Sequence, residues 1–318
     1  MRVARQTTLW LAILLAGYAP AAAQDYPSKP VRIVVGFAAG SVSDLTGRMV
    51  GQKLAAVLGQ PFVVEVRPGA GSNVAAQHVV RSPKDGYTLL IATSSSTIRS
   101  AASNPGFDFA TDLQPVALIA RVPFVLTAYP GLGVKTVQEF IALAKAKPDA
   151  LTFGGTQVGT TGYLAAALFN QRAGTSLVIA PYPSTAQSTT DLMTGRISIA
   201  FASAANVLPL IEDKKLVGLA VAQAQRSPLI PDMPSIDEAG LPGVDSSIWI
   251  GLLAPAGTPR EIVETISKVV NDALRADDVV RQMRLQGMEP LGGGADEFAR
   301  RIRDDTARWD AVLKAAGL

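Results

Sequence analysis

The chain has 318 residues, 48% of them hydrophobic and 17% charged. It can therefore bury a sizeable core and is not a disordered polymer. It has no cysteine and one histidine, His78, which excludes disulfides and thiolate chemistry and argues against a histidine metal cluster or a Ser-His-Asp triad. The formal charge is +3 without a basic run, so the sequence carries no nucleic-acid-binding footprint.

The first segment reads as a targeting signal. Arg2 and Arg5 precede an apolar stretch over 9–18, and Ala21-Ala22-Ala23 offers a small-residue cleavage site before Gln24. This pattern predicts a secretory signal peptide over 1–23, too short for a spanning helix. Loss of Arg2 and Arg5 would lower the charge from +3 to +1.

Short β-branched runs then alternate with amphipathic stretches. Strands are expected over 31–36, 62–66 and 88–92, with helices over 43–58 and 73–81. That order implies a mostly parallel sheet covered on both faces. A second set follows Pro130-Gly131: helices over 134–147, 160–172, 184–194 and 206–211, and strands over 151–153, 177–180, 197–201 and 217–221. The remainder reads as an apolar strand over 247–254 and helices over 259–276, 279–287 and 295–316. Pro259 suits a first helical turn, with Thr258 placed to cap it.

Two extended apolar stretches, 116–127 and 247–254, flank the second set. Two such crossings would insert the second unit into the first. One domain is then 24–124 plus 248–318, and the other is 125–247. Ligands of α/β units bind beyond the carboxyl ends of the strands, so the cleft between the units is the natural site.

Five strand-to-helix turns could hold a ligand. The first is FAAGSVSD, 37–44, where Gly40 allows positive φ and Ser43 or Asp44 is placed to cap the helix. It reads either as an anion-binding nest or as an ordinary capped turn. GAGSNVAA, 69–76, resembles a dinucleotide fingerprint, but the third glycine is missing and the next strand ends without an acid. TSSST (93–97), GGTQVGTTG (154–162) and YPST (182–185) are rich in hydroxyls and poor in charge. They suit a small anion held by neutral donors. There is no nucleophile elbow for a serine hydrolase. His78, inside AAQHVV, reads as a helix-face residue.

Several longer stretches point to a family. YPSKPVRIVVGFAAG (26–40), VVEVRPGAGSNVAA (63–76), DGYTLL (85–90), LQPVALIA (113–120), FIALAKAKP (140–148), RSPLIPDMPSIDEAGLPG (226–243) and GLLAPAGTP (251–259) occur in order. Together they resemble the Bug, or TctC-like, family of periplasmic solute-binding proteins of tripartite tricarboxylate transporters, over essentially the whole mature chain. The resemblance implies an α/β, two-domain, Venus-flytrap fold of the type II-like kind with a hinge between domains. It also implies a small carboxylate held by two facing loops. Carried onto this sequence, the first loop supplies Phe37, Ala39, Gly40, Ser41, Ser43 and Asp44. The facing loop supplies Gly155, Thr156, Gln157, Gly159, Thr160 and Thr161. Thr93 and Ser94 match the family's Thr-Ser pattern, and Ser184 and Thr185 its Gly-Ser turn.

The sequence departs from that pattern in places. Ala39 replaces a proline, Ser41 and Val42 replace glycines, Thr97 stands where a histidine is common, and Ala202 and Ser203 stand where Asp-Asn is frequent. Thr97 and Ser203 are kept as site positions, in a pocket less polar than usual. Val42 disfavours positive φ, so an altered loop backbone is expected.

The implied function is periplasmic capture of a small organic carboxylate for membrane permease subunits, by a monomer without metal, cofactor or catalytic residues. A ligand-presenting partner of a membrane-bound sensor kinase is a second class that the sequence does not separate. A secreted enzyme would need a nucleophile with a base, or a metal set, and neither is visible.

Overall fold

A computed structural model describes residues 26–103, 106–148, 150–155, 160–182 and 185–315. The signal-peptide reading lies outside these residues.

The chain forms two sheets. The first is six-stranded, in the order β11-β4-β10-β3-β1-β2. Its strands are β1 (Val31–Val35), β2 (Phe62–Val66), β3 (Thr88–Thr93), β4 (Leu113–Val122), β10 (Ile248–Pro255) and β11 (Glu289–Pro290). The second is five-stranded, in the order β7-β6-β8-β5-β9. It contains β5 (Phe124–Ala128), β6 (Thr152–Gly155), β7 (Val178–Pro181), β8 (Ile199–Ser203) and β9 (Val217–Val221).

Three strands of each sheet are parallel: β1 with β2 and β3, and β6 with β7 and β8. The long strands that cross between the sheets run the other way. β10 is antiparallel to β3 and β4, and β5 is antiparallel to β8 and β9. The reason lies in the path of the chain. Only Pro123 separates β4 from β5, and proline cannot donate to a ladder, so pairing breaks there and the strand passes on into the other sheet. A strand entering a sheet from the cleft runs away from the cleft. The parallel strands run towards it, so their carboxyl ends, and the helix starts that follow, face the gap.

The helices are α1 (Val42–Leu58), α2 (Asn73–Val80), α3 (Ser94–Ser103), α4 (Val137–Ala146), α5 (Thr161–Ala173), α6 (Thr185–Met193), α7 (Ala204–Glu212), α8 (Arg260–Ala273), α9 (Asp277–Leu285) and α10 (Ala295–Ala315). Strands such as β3 are buried along their whole length, as expected of a sheet covered on both faces. Phe298 and Ile302 of α10 pack with Trp249 and Leu118 of the first sheet. The Trp249 ring meets Phe298 edge-on at 5.0 Å, and its indole N–H donates to Asp305. On the second sheet, Phe153 and Phe201 form a buried aromatic group with Phe169 of α5.

Two local expectations need correction, and one strand is new. TSSST is not a loop: Ser94 already begins α3. Serine and threonine are weak helix formers, but here Thr93 and Ser96 exchange backbone-to-hydroxyl hydrogen bonds that cap the start. Thr258 does not cap α8. Its hydroxyl donates to the Pro255 carbonyl, and Pro259 occupies the cap position without a side-chain bond. Finally β11 escaped notice because two residues offer no alternation to read. It pairs with β4 and brings Glu289 against Arg121.

Candidate functional site

The first loop is built around one positive-φ residue. Gly40 has φ +79°, a region L-residues avoid. Val42 lies in α1 as its first helical residue, so its β-branch conflicts with nothing. Ser41, rather than Ser43 or Asp44, is the N-cap: its hydroxyl accepts from the Asp44 N–H at 3.3 Å. The Asp44 carboxylate in return accepts from the Gly40 N–H at 2.9 Å and from Arg48 Nε at 3.1 Å. This is a capping box drawn one residue wider than usual. Burial alone would raise the Asp44 carboxyl, but the Arg48 hydrogen bond, the Gly40 N–H and the Arg48 charge outweigh it and hold the group below the usual aspartate range. The carboxylate is thus fixed on its own helix, and it does not line the cavity described next.

Between the sheets lies a cavity of about 300 Å³. Four helix starts border it. Ser41 and Ser43 come from the start of α1, Thr93 and Ser95 from α3, Thr185 from α6, and Ser203 and Asn206 from α7. Its remaining surface is apolar, formed by Phe37, Val42, Val122, Phe124, Ile248 and Ile250, together with Ala205. None of these lining residues is charged. Helix starts present unpaired N–H groups and the positive end of the helix dipole. The arrangement can therefore stabilise an anion without a cationic side chain.

Of the residues picked from the sequence, the cavity gathers Phe37, Ser41, Ser43, Thr93, Thr185 and Ser203. Ala39 and Gly40 are exposed beside it. Ser94 and Thr97 are buried, and the Thr97 hydroxyl donates to the Ser94 carbonyl instead of facing the cleft. Gly155 ends β6. Thr160 is the N-cap position of α5, and Thr161 is its first residue. Thr156, Gln157, Gly159 and Ser184 lie outside the described residues. The two sides touch where Ser95 Oγ and Thr161 Oγ1 stand 3.0 Å apart. They meet again where buried Glu289 of the first sheet accepts from Ser227, which follows β9 of the second.

Ser95, Asn206 and the apolar floor were not singled out from the sequence. Ser95 sits inside TSSST, and helical phase would have separated it from Ser94 and Thr97 had the helix been recognised. The floor residues belong to the crossing strands, where burial in a core and exposure to a small cavity leave the same apolar signature. Among the described residues there is no group of three or more acidic, histidine or cysteine side chains able to hold a metal. The glycines of the dinucleotide-like turn serve geometry. Gly69 and Gly71 have φ 143° and 65°, and a Cβ on Gly36 would collide with the Ser72 side chain.

The family model for the tripartite tricarboxylate transporter family receptor matches residues 46–318. The chain belongs to this receptor family. Relatives and solved structures agree. BugT of Bordetella pertussis is 32% identical over 302 residues, covering 94% of this chain and 93% of that one. The structure of Rhodopseudomonas palustris Rpa4515 with adipate is 34% identical with a TM-score of 0.76, covering 92% of this chain and 98% of that one. MatC from the same organism, with bound malate, is 28% identical with a TM-score of 0.74 and coverage of 91% and 100%. The family's two-domain α/β binding-protein fold is the fold of this chain.

Proposed function

We propose that this receptor-family chain is a periplasmic solute-binding protein. It holds a small organic carboxylate between its two domains and presents it to the permease subunits of a tripartite tricarboxylate-type transporter. The domains are those read from the sequence, 24–124 with 248–318 and 125–247, and the crossing strands at Pro123 and Ile248 serve as the hinge. The protein works as a monomer, without a cofactor and without catalysis.

The observation that carries this reading is the convergence of four helix starts, two from each sheet, on one cavity with an uncharged lining. A carboxylate there is met by backbone N–H groups and hydroxyls. The hydroxyls of Ser41, Ser43, Thr93, Thr185 and Ser203 are the described donors. Hydrogen bonds to a charged group are worth about 1.5–3 kcal/mol each, so a few suffice. The adipate and malate bound by the two similar structures support the carboxylate class.

Thermal unfolding of the purified mature protein against a panel of organic acids tests the proposal. A ligand that binds only the folded state stabilises it by about 2.7 kcal/mol at a hundredfold excess over its Kd. At least one carboxylate should raise the Tm, and its amide should not. Equal stabilisation by acid and amide would remove the anion site.

A further inference from the structure

The cavity's walls and floor differ in chemistry, and the floor bears on the body of the solute. Val122 and Ile248 are direct cross-strand partners where the two crossing strands meet. Ile250 follows Ile248 at the two-residue spacing that keeps both on one face of the strand. Phe124, just past Pro123, and Phe37 of the first loop line the same cavity. Ile250 pairs with Thr93, and Phe124 pairs with Ser203. The floor is therefore hydrocarbon in its middle and bounded by one hydroxyl at each end.

Resting on the carboxylate reading above, we infer that the solute has a hydrocarbon body: a carboxylate whose linear or flat carbon skeleton carries no hydroxyl groups. A hydroxyl on the middle of the solute would lose its water against Val122, Phe124, Ile248 and Ile250 and gain no partner there, which is unfavourable. The same surface rewards methylene or aromatic carbon. Polar contacts are left to the helix starts that border the floor. Size agrees: about 300 Å³ is at the small end of ligand pockets, and suits acids of benzoate or hexanoate dimensions.

Calorimetry with two matched pairs tests this on the mature chain. Hexanoate and gluconate share six carbons and one carboxylate, and adipate and galactarate share six carbons and two. Within whichever pair binds, the hydrocarbon acid should bind at least tenfold tighter than its hydroxylated counterpart. Val122→Thr keeps the side-chain shape and places a hydroxyl in the floor. It should weaken the hydrocarbon acid several-fold, with the melting temperature of the free protein showing that the fold is kept. Tighter binding of gluconate, galactarate, malate or citrate than of the hydrocarbon acids would overturn the inference and leave the carboxylate reading standing. Binding of hexanamide or adipamide as tight as that of the acids, or no binding by any acid, would remove both.

Discussion

The two walls of the cavity are built from the same unit, a strand running into a helix start, yet they treat their hydroxyls differently. In the first domain the starts are closed on themselves. Ser41 and Asp44 bond across the first turn of α1, and Thr93 and Ser96 do the same at α3. In the second domain, Ser203 precedes α7 without a side-chain cap bond, and Thr160 gives none to α5. The first wall is a fixed cradle with its donors aligned in advance. On the second wall, Ser203 keeps its hydroxyl for another partner. Hydrogen bonds made before the ligand arrives lower the ordering cost of binding. Those left to the ligand contribute directly to affinity.

Five changes would break or sharpen this contrast. The largest effect belongs to Asp44→Ala, which removes the acceptor for both the Gly40 N–H and Arg48. It should lower stability by about 2 kcal/mol, the range for hydrogen bonds to a charged group. Chemical denaturation measures that loss, and ligand affinity should fall with it because the first loop is no longer held. Gly40→Leu comes next. Nothing lies within 4 Å of an added Cβ there, so the cost is conformational: about 1–2 kcal/mol for a branched residue in the left-handed region. If binding falls while stability holds, blocked backbone approach is the cause, and calorimetry beside denaturation separates the two.

The contrast itself is tested by a pair of serines. Ser41→Ala should cost about 1 kcal/mol of stability through loss of the N-cap. Ser203→Ala should cost under about 0.5 kcal/mol, since the half-buried hydroxyl has no cap bond to lose, and should instead weaken ligand binding up to about tenfold. Equal stability losses would erase the distinction between the walls. The smallest effect is on pH. The Asp44 carboxyl is held below its ordinary value when folded, so its contribution is full above the unfolded value of about 4 and fades as pH falls through the lower folded value. Asp44→Asn should flatten the acid limb of the stability curve below about pH 4, and an unchanged limb would assign that slope to other carboxylates.

Much of the fold was legible in the sequence, because a buried parallel strand and an amphipathic helix leave different periods in apolar residues. The alternation of β1, α1, β2, α2 and β3, and the switch to helices after β10, follow from that pattern. α3 was not legible, since TSSST lacks an apolar stripe and its helix start depends on the Thr93–Ser96 exchange. For the site, FAAGSVSD placed Ser41 and Ser43 correctly at a helix start, but the N-cap assignment went to the wrong residues. Ser, Asp and Thr are all good caps, and only the backbone angles choose among them.

By itself the sequence determined the two α/β units, the crossing strands and the supply of neutral donors at strand-to-helix turns, all of them consequences of local period and residue chemistry. The tertiary structure decided which turns meet. It joined Asp44 to Arg48 and to the Gly40 N–H, brought Ser95 to Thr161 across the cleft, and laid Val122, Phe124, Ile248 and Ile250 side by side as the cavity floor. Such adjacency depends on strand register and on two sheets closing over one gap, and strands buried on both faces lack the alternation from which register could be read.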